Sequence, residues 1–161
     1  MNKAVEKSGN IGINFGLTSG TITTLGTMIG LYAGTSSRLA VIGGILTIAV
    51  ADALSDALGM HVSQESTNRS EKGVWTATFY TFITKFLYAF TFIIPVLLFE
   101  LVYAVVVGAI YGLIVLGVLS WRIAKKQKKK PIKAVGEHLF IAAIVIVLTY
   151  FLGEFVAMFF G

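Results

Sequence analysis

The sequence predicts an all-α integral membrane protein of five transmembrane helices, with the N-terminus in the cytoplasm and the C-terminus outside or lumenal. Three observations carry this expectation. Of 161 residues, 56% are hydrophobic and 13% charged, with a mean hydropathy of +0.83, more apolar surface than one small soluble core can hide. Five runs, near 11–34, 39–62, 75–98, 101–123 and 134–160, each reach the ~20 residues needed to cross about 30 Å of hydrocarbon. The positive residues fall on alternate connections, as short cytoplasmic loops require. Lys3 and Lys7 precede the first span, Arg69 and Lys72 lie between the second and third, and seven from Arg122 to Lys133 lie between the fourth and fifth, whereas the opposite side holds only Arg38. The remainder is too short for a separate soluble domain, so residues 1–161 are read as a single five-helix transmembrane domain.

The formal charge of +5 therefore serves topology, and no stacking aromatics interleave the basic run as a nucleic-acid surface would require. The lipid bilayer is an expected partner; nucleic acid is not. With no cysteine, thiol redox chemistry and thiolate metal sites are excluded. The plasma membrane is expected rather than a vacuolar or organellar membrane.

The first span follows two lysines and has the outline of a signal peptide, but it is long and lacks a small-residue cleavage site after a short apolar core, so it is expected to be retained. Gly12, Gly16, Gly20, Thr23, Thr27, Gly30 and Gly34 recur every three or four residues and line one face. Such a face serves either helix packing or a dimer seam beside a permeation path.

The second span carries the most informative residues. Asp52 and Asp56 are carboxylates one turn apart in an apolar segment, where each costs at least about 2.5 kcal/mol to insert. Asp52, Ser55, Asp56, Gly59, Met60 and Ser63 share a stripe at helical spacing. Counted from Leu39, the two acids lie roughly 20 and 26 Å deep, in the cytoplasmic half. Ionised carboxylates this close repel, so a proton or a cation is expected between them. Carboxylate oxygens suit divalent cations, and the Met60 thioether tilts preference toward a transition metal. The bland alternative is that the acids bond a neighbouring helix and Met60 fills space. His61 is either an approach ligand or merely interfacial, and the polar stretch 63–73 has loop composition.

The third span opens on Trp75 as an interface anchor and is rich in aromatics; Pro95 breaks it near its outer end, before a tight turn at Phe99 and Glu100. Lys85, about ten residues in, is expected to snorkel to the interface, with a counter-ion role toward an aspartate as the lesser alternative. Gly108, Gly112 and Gly117 mark the fourth span as closely packed. The fifth begins with Glu137 and His138 at the interface and ends with Glu154 near the outer face, where solvation is easy.

Two stretches resemble the vacuolar iron transporter family. The run GLTSGTITT from Gly16, continuing to GLYAG at Gly30, is similar to that family's first-helix motif GLxDGxxTT; ALSDALGMHVS from Ala53 is similar to its second-helix ALSMxxGEYxS. The run TYFLG from Thr149 resembles the closing helix. The departures fall on the ligands. The family's first-helix aspartate is Ser19 here, its second-helix methionine is Asp56 and its glutamate is Met60, while Asp52 adds an acid one turn earlier. The glutamate-rich cytoplasmic helical domain of many members is missing. The resemblance implies a homodimer through helices 1 and 2 that moves ferrous or manganous ions out of the cytosol against protons. Asp52, Asp56 and Met60 would be its metal ligands, and Ser19, Thr23, Ser55, Ser63 and His61 would line the path.

The expected function is thus a proton-coupled exporter of Fe²⁺ or Mn²⁺, with the metal as cargo, the proton as coupling ion and no resident cofactor. The alternative is a non-transporting membrane interaction or regulatory protein that keeps the fold after losing the family's ligands. A carrier of a small organic solute ranks lower, because few recognition groups converge. No enzyme is expected, since no nucleophile with a base and no histidine pair at metal-site spacing is legible.

Overall fold

The computed structural model describes residues 3–161. Its elements are helices, and no strand occurs among the described residues. Helix α1 runs Lys3–Thr35; α2 (Arg38–Thr47), one π-helical turn (Ile48–Asp52) and α3 (Ala53–Glu65) form a continuous rod. Then follow α4 (Glu71–Thr91), α5 (Ile93–Leu98), α6 (Leu101–Lys126) and α7 (Pro131–Phe160).

Four helices, Arg38–Glu65, Glu71–Leu98, Leu101–Lys126 and Pro131–Phe160, are long and apolar enough to span a membrane. They match the expected second to fifth spans with ends extended by a few residues. The expected first span is helical throughout as α1 but is not among the four. Its glycine, serine, threonine and asparagine content dilutes its hydropathy.

The breaks have local causes. Pro95 has no N–H to offer the Thr91 carbonyl, and the helix is interrupted at Phe92, one turn before the proline. Pro131 sits in the first turn of α7, where its missing donor costs nothing. Ser36, Asn68 and Lys128 take left-handed backbone conformations, with φ of 47°, 51° and 57°, at the turns after α1, α3 and α6. Asparagine tolerates this region better than serine or lysine.

The chain divides into two compact units. The first comprises the chain through Gly20 with Leu46–Thr91, and the second comprises Thr21–Ile45 with Phe92–Gly161. In the first, α1 closes on α4 through glycines. A Cβ at Gly12 would run into the Ala77 carbonyl and lie 3.0 Å from the Thr81 nitrogen; one at Gly16 would lie 2.9 Å from the Thr81 carbonyl oxygen. Thr81 is fully buried between them and donates to the Ala77 carbonyl at 2.9 Å. α3 packs against α4, with Ala53, Ala57 and Met60 of α3 and Val74 and Ala77 of α4 buried.

In the second unit the later glycines of α1 meet α7. A Cβ at Gly26 would contact Val145, and Gly34 approaches the Gly153 backbone. Gly108 and Gly112 of α6 make room for Met28 and Leu25 of α1. Arg38 donates to the carbonyls of Val96 (2.7 Å) and Phe99 (2.9 Å), neutralising the C-terminal end of α5 and the turn after it. Within the chain, Gly12 and Gly16 therefore seat α1 on α4, and Gly30 and Gly34 approach Thr149 and Gly153 of α7.

Apolar side chains face outward along the spanning helices. Leu58 is 65% exposed, Ile114 59% and Phe151 64%. Apolar surface on this scale suits lipid, not water.

Candidate functional site

The first unit holds a buried ionic cluster. Lys85, in the middle of α4, is completely buried. Its ammonium lies 2.5 Å from Asp52 Oδ2, pairs with Asp56 Oδ2, and donates to Ser19 Oγ at 3.0 Å. Ser19 Oγ in turn donates to Asp56 Oδ2 at 2.5 Å. Asp52 and Asp56 keep 33% and 20% of their side chains exposed. One cation is therefore gripped by two carboxylates and a hydroxyl from three helical segments.

Each side chain has a local reason for its place. Asp52 ends the π-helical turn, whose extra residue rotates the following register by about 100° relative to an unbroken α-helix. Asp56 follows one α-turn later. Ser19 is carried by the same glycine face that seats α1 on α4, and a Cβ at Gly20 would lie 3.4 Å from the Lys85 Cγ. The lysine stem thus runs beside a residue with no side chain.

Burying an ammonium without a partner is prohibitive, and pairing it with carboxylates offsets most of the desolvation cost. The cluster is nevertheless not balanced. Two carboxylates and one ammonium carry a formal charge of −1, so it attracts further positive charge.

What lies between Asp52 and Asp56 is a side chain of the neighbouring helix α4, the arrangement of the bland alternative in which the acids bond another helix. Lys85 does not snorkel, because its amine finds partners two to three ångströms away inside the unit. The predicted stripe divides in two. Asp52, Asp56 and Met60 form its inner edge, with Met60 only 7% exposed, whereas Ser55, Gly59 and Ser63 face outward. Thr23 belongs to the second unit, whereas the acids belong to the first. Ser19 joins the cluster directly.

His61 stands apart from the acids, held by its own contacts. Its Nδ1 is 3.1 Å from Thr78 Oγ1, its Nε2 is 3.4 Å from Glu65, and its ring meets Trp75 edge-on at 4.7 Å. His61, Glu65 and Trp75 border an open cavity of about 600 Å³ with Asn68, Arg69, Glu71 and Val74. Among the described residues no three His, Asp or Glu side chains converge as a metal-holding group. Glu154 is exposed on α7.

The sequence also gave no sign of the Ser120 and His138 pairing in the second unit, with Oγ and Nδ1 2.7 Å apart. The α6–α7 turn brings these distant positions opposite one another. Ser120 donates to the Leu116 carbonyl at 2.6 Å, leaving its oxygen to accept from His138. A hydroxyl whose proton is committed to the backbone is not an activated nucleophile, so the pair reads as a clasp between helices. Compared with protein-family models, curated proteins and solved structures, the chain matches none.

Proposed function

We propose that this chain is a proton-coupled membrane transporter that exports divalent transition-metal cations, Fe²⁺ or Mn²⁺, from the cytosol. The observation that carries the proposal is the seating of one cationic group between Asp52 and Asp56 inside an otherwise apolar span. Ionisable groups at such depth are expensive and mark ion paths. Two carboxylates and a hydroxyl are hard oxygen donors, and Met60 beyond them supplies a softer one. When cargo leaves and the Lys85 ammonium returns, the cluster still carries a formal charge of −1, so uptake of a proton accompanies departure.

In this proposal α1 is the first of five spans, made less apolar by its hydroxyls and glycines, with the N-terminus cytoplasmic by the distribution of lysine and arginine. The plasma membrane is the proposed location. A second copy docks through the first two spans. Thr47, Ala51, Ser55, Gly59 and Ser63 recur every four residues and are exposed, a small-residue face on which another helix can pack closely. The resemblance of the first two helices to the vacuolar iron transporter family supports the cargo and the dimer alike.

Two observations favour a second reading, a non-transporting membrane interaction protein. Lys85 already holds the acids, and Ser19 stands where the family has aspartate. Reconstituted liposomes separate the two. Transport requires Mn²⁺ uptake with opposed proton movement, abolished in Asp56→Asn; binding without flux favours the interaction protein. Full flux in Asp52→Asn/Asp56→Asn would sink the proposed mechanism.

A further inference from the structure

We infer that the Lys85 ammonium is a tethered competitor for the cation seat, which holds the Asp52 and Asp56 carboxylates in the absence of cargo and must leave them before a divalent cation binds. The inference rests on the transport reading and adds to it a device that sets how tightly cargo is held.

Three observations converge on it. The partners of the ammonium, two carboxylate oxygens and the Ser19 hydroxyl, are the oxygen donors that the acid pair offers a cation. The ammonium and a metal ion thus compete for one set of ligands. Next, the cluster carries a formal charge of −1. A dication added beside the ammonium would leave it at +1 within an apolar span, a charge with nothing to balance it, so joint occupancy is disfavoured and displacement is required. Finally, the competitor cannot diffuse away. Lysine is a point charge on a flexible four-carbon stem, and here that stem packs directly against Gly20 of α1, where a Cβ would lie 3.4 Å from the Lys85 Cγ.

The functional consequence is quantitative. When a binding-competent arrangement is only fractionally populated, the apparent dissociation constant rises by the inverse of that fraction. A lysine that occupies the seat 90–99% of the time would weaken cargo binding about 10- to 100-fold. Carriers need this, because a site that binds too tightly does not let go.

Calorimetric titration of Mn²⁺ into the full-length protein in detergent tests the idea, together with Mn²⁺ flux in liposomes. Lys85→Gln is expected to bind Mn²⁺ at least about tenfold tighter and to turn over more slowly. Lys85→Arg is expected to bind about tenfold more weakly, because a guanidinium grips carboxylates in two-pronged fashion. In Lys85→Ala, added methylammonium should refill the seat and compete with Mn²⁺, which it should not do in the wild type. A folded Lys85→Gln protein whose Mn²⁺ affinity is unchanged or lower, beside a wild type that transports, overturns the competitor and leaves transport standing. If Lys85→Gln does not fold, Lys85→Arg decides, and binding as tight as the wild type overturns the inference. Absence of Mn²⁺ binding and flux in wild type and variants alike overturns the transport reading and the competitor with it.

Discussion

Lys85 of α4 lies 2.5 Å from Asp52 at the end of the π-helical turn, and the same ammonium pairs with Asp56 at the start of α3. A single buried cation therefore ties the rod that carries both acids to its neighbour. Its energetic consequences are large, because each partner is anchored in a helix and little conformational freedom remains to be lost.

Removing the cation while leaving the acids should be costly. Lys85→Met is expected to destabilise the protein by about 3–5 kcal/mol, the range for breaking a buried ion pair from one side. Asp56→Leu alone should cost less, since Asp52 still faces the ammonium. A double-mutant cycle in detergent, read by thermal unfolding, should give Lys85→Met/Asp56→Leu a loss smaller than the sum by about 0.5–3 kcal/mol. Simple additivity would mean the two groups do not act together.

Ser19 both donates to Asp56 and accepts from Lys85. Ser19→Ala removes a hydrogen bond to each charged group and is expected to cost about 1–3 kcal/mol. Ser19→Asp would add a third carboxylate to the two that face a dication once Lys85 has withdrawn. Calorimetry should find tighter Mn²⁺ binding in that variant than in wild type; weaker binding would argue against a divalent cargo.

Gly12 and Gly59 should respond in opposite ways. An alanine Cβ at position 12 collides with the Ala77 carbonyl, which belongs to a packed helix and cannot rotate aside. Gly12→Ala should therefore lose about 1–3 kcal/mol. At Gly59 nothing lies within 4 Å of the added carbon, so Gly59→Ala should be neutral or gain up to about 1 kcal/mol from helix propensity. Gly59→Leu should leave the subunit folded and separate the proposed dimer, as read by light scattering in detergent. A dimer that survives Gly59→Leu moves the seam elsewhere.

Lys128 adopts φ of 57° in the turn between α6 and α7, where a lysine side chain crowds its own backbone. Lys128→Gly is expected to raise stability by about 1–2 kcal/mol in thermal unfolding. No gain would mean that the lost chain entropy of glycine offsets the relieved strain.

The helices were legible because long apolar runs separated by short charged stretches permit few alternatives. Their ends were less so. The expected third span began at Trp75, but α4 starts at Glu71, because helical hydrogen bonding continues past the edge of apolar composition. The acids were legible for the same reason that they are expensive, as carboxylates in an apolar segment with nothing nearby in sequence to balance them. What balances them was legible only as the lesser alternative for Lys85. Lys85 is 29 positions from Asp56, and only the packing of α4 against α3 brings them together. The π-helical turn at Ile48–Asp52 was equally hidden, since Ile-Ala-Val-Ala is ordinary helical composition. The first helix shows a different limit. Its glycines announced close packing, yet the choice of partner, α4 for Gly12 and α7 for Gly34, depends on where other helices lie.

Whether Asp52 and Asp56 form a cation seat that Lys85 holds until cargo arrives is decided by a Mn²⁺-soaked crystal structure with anomalous scattering. An anomalous peak is expected within coordination distance of both carboxylates, with the Lys85 ammonium withdrawn from them. A peak elsewhere, or none with Lys85 still on both acids under saturating Mn²⁺, would contradict it.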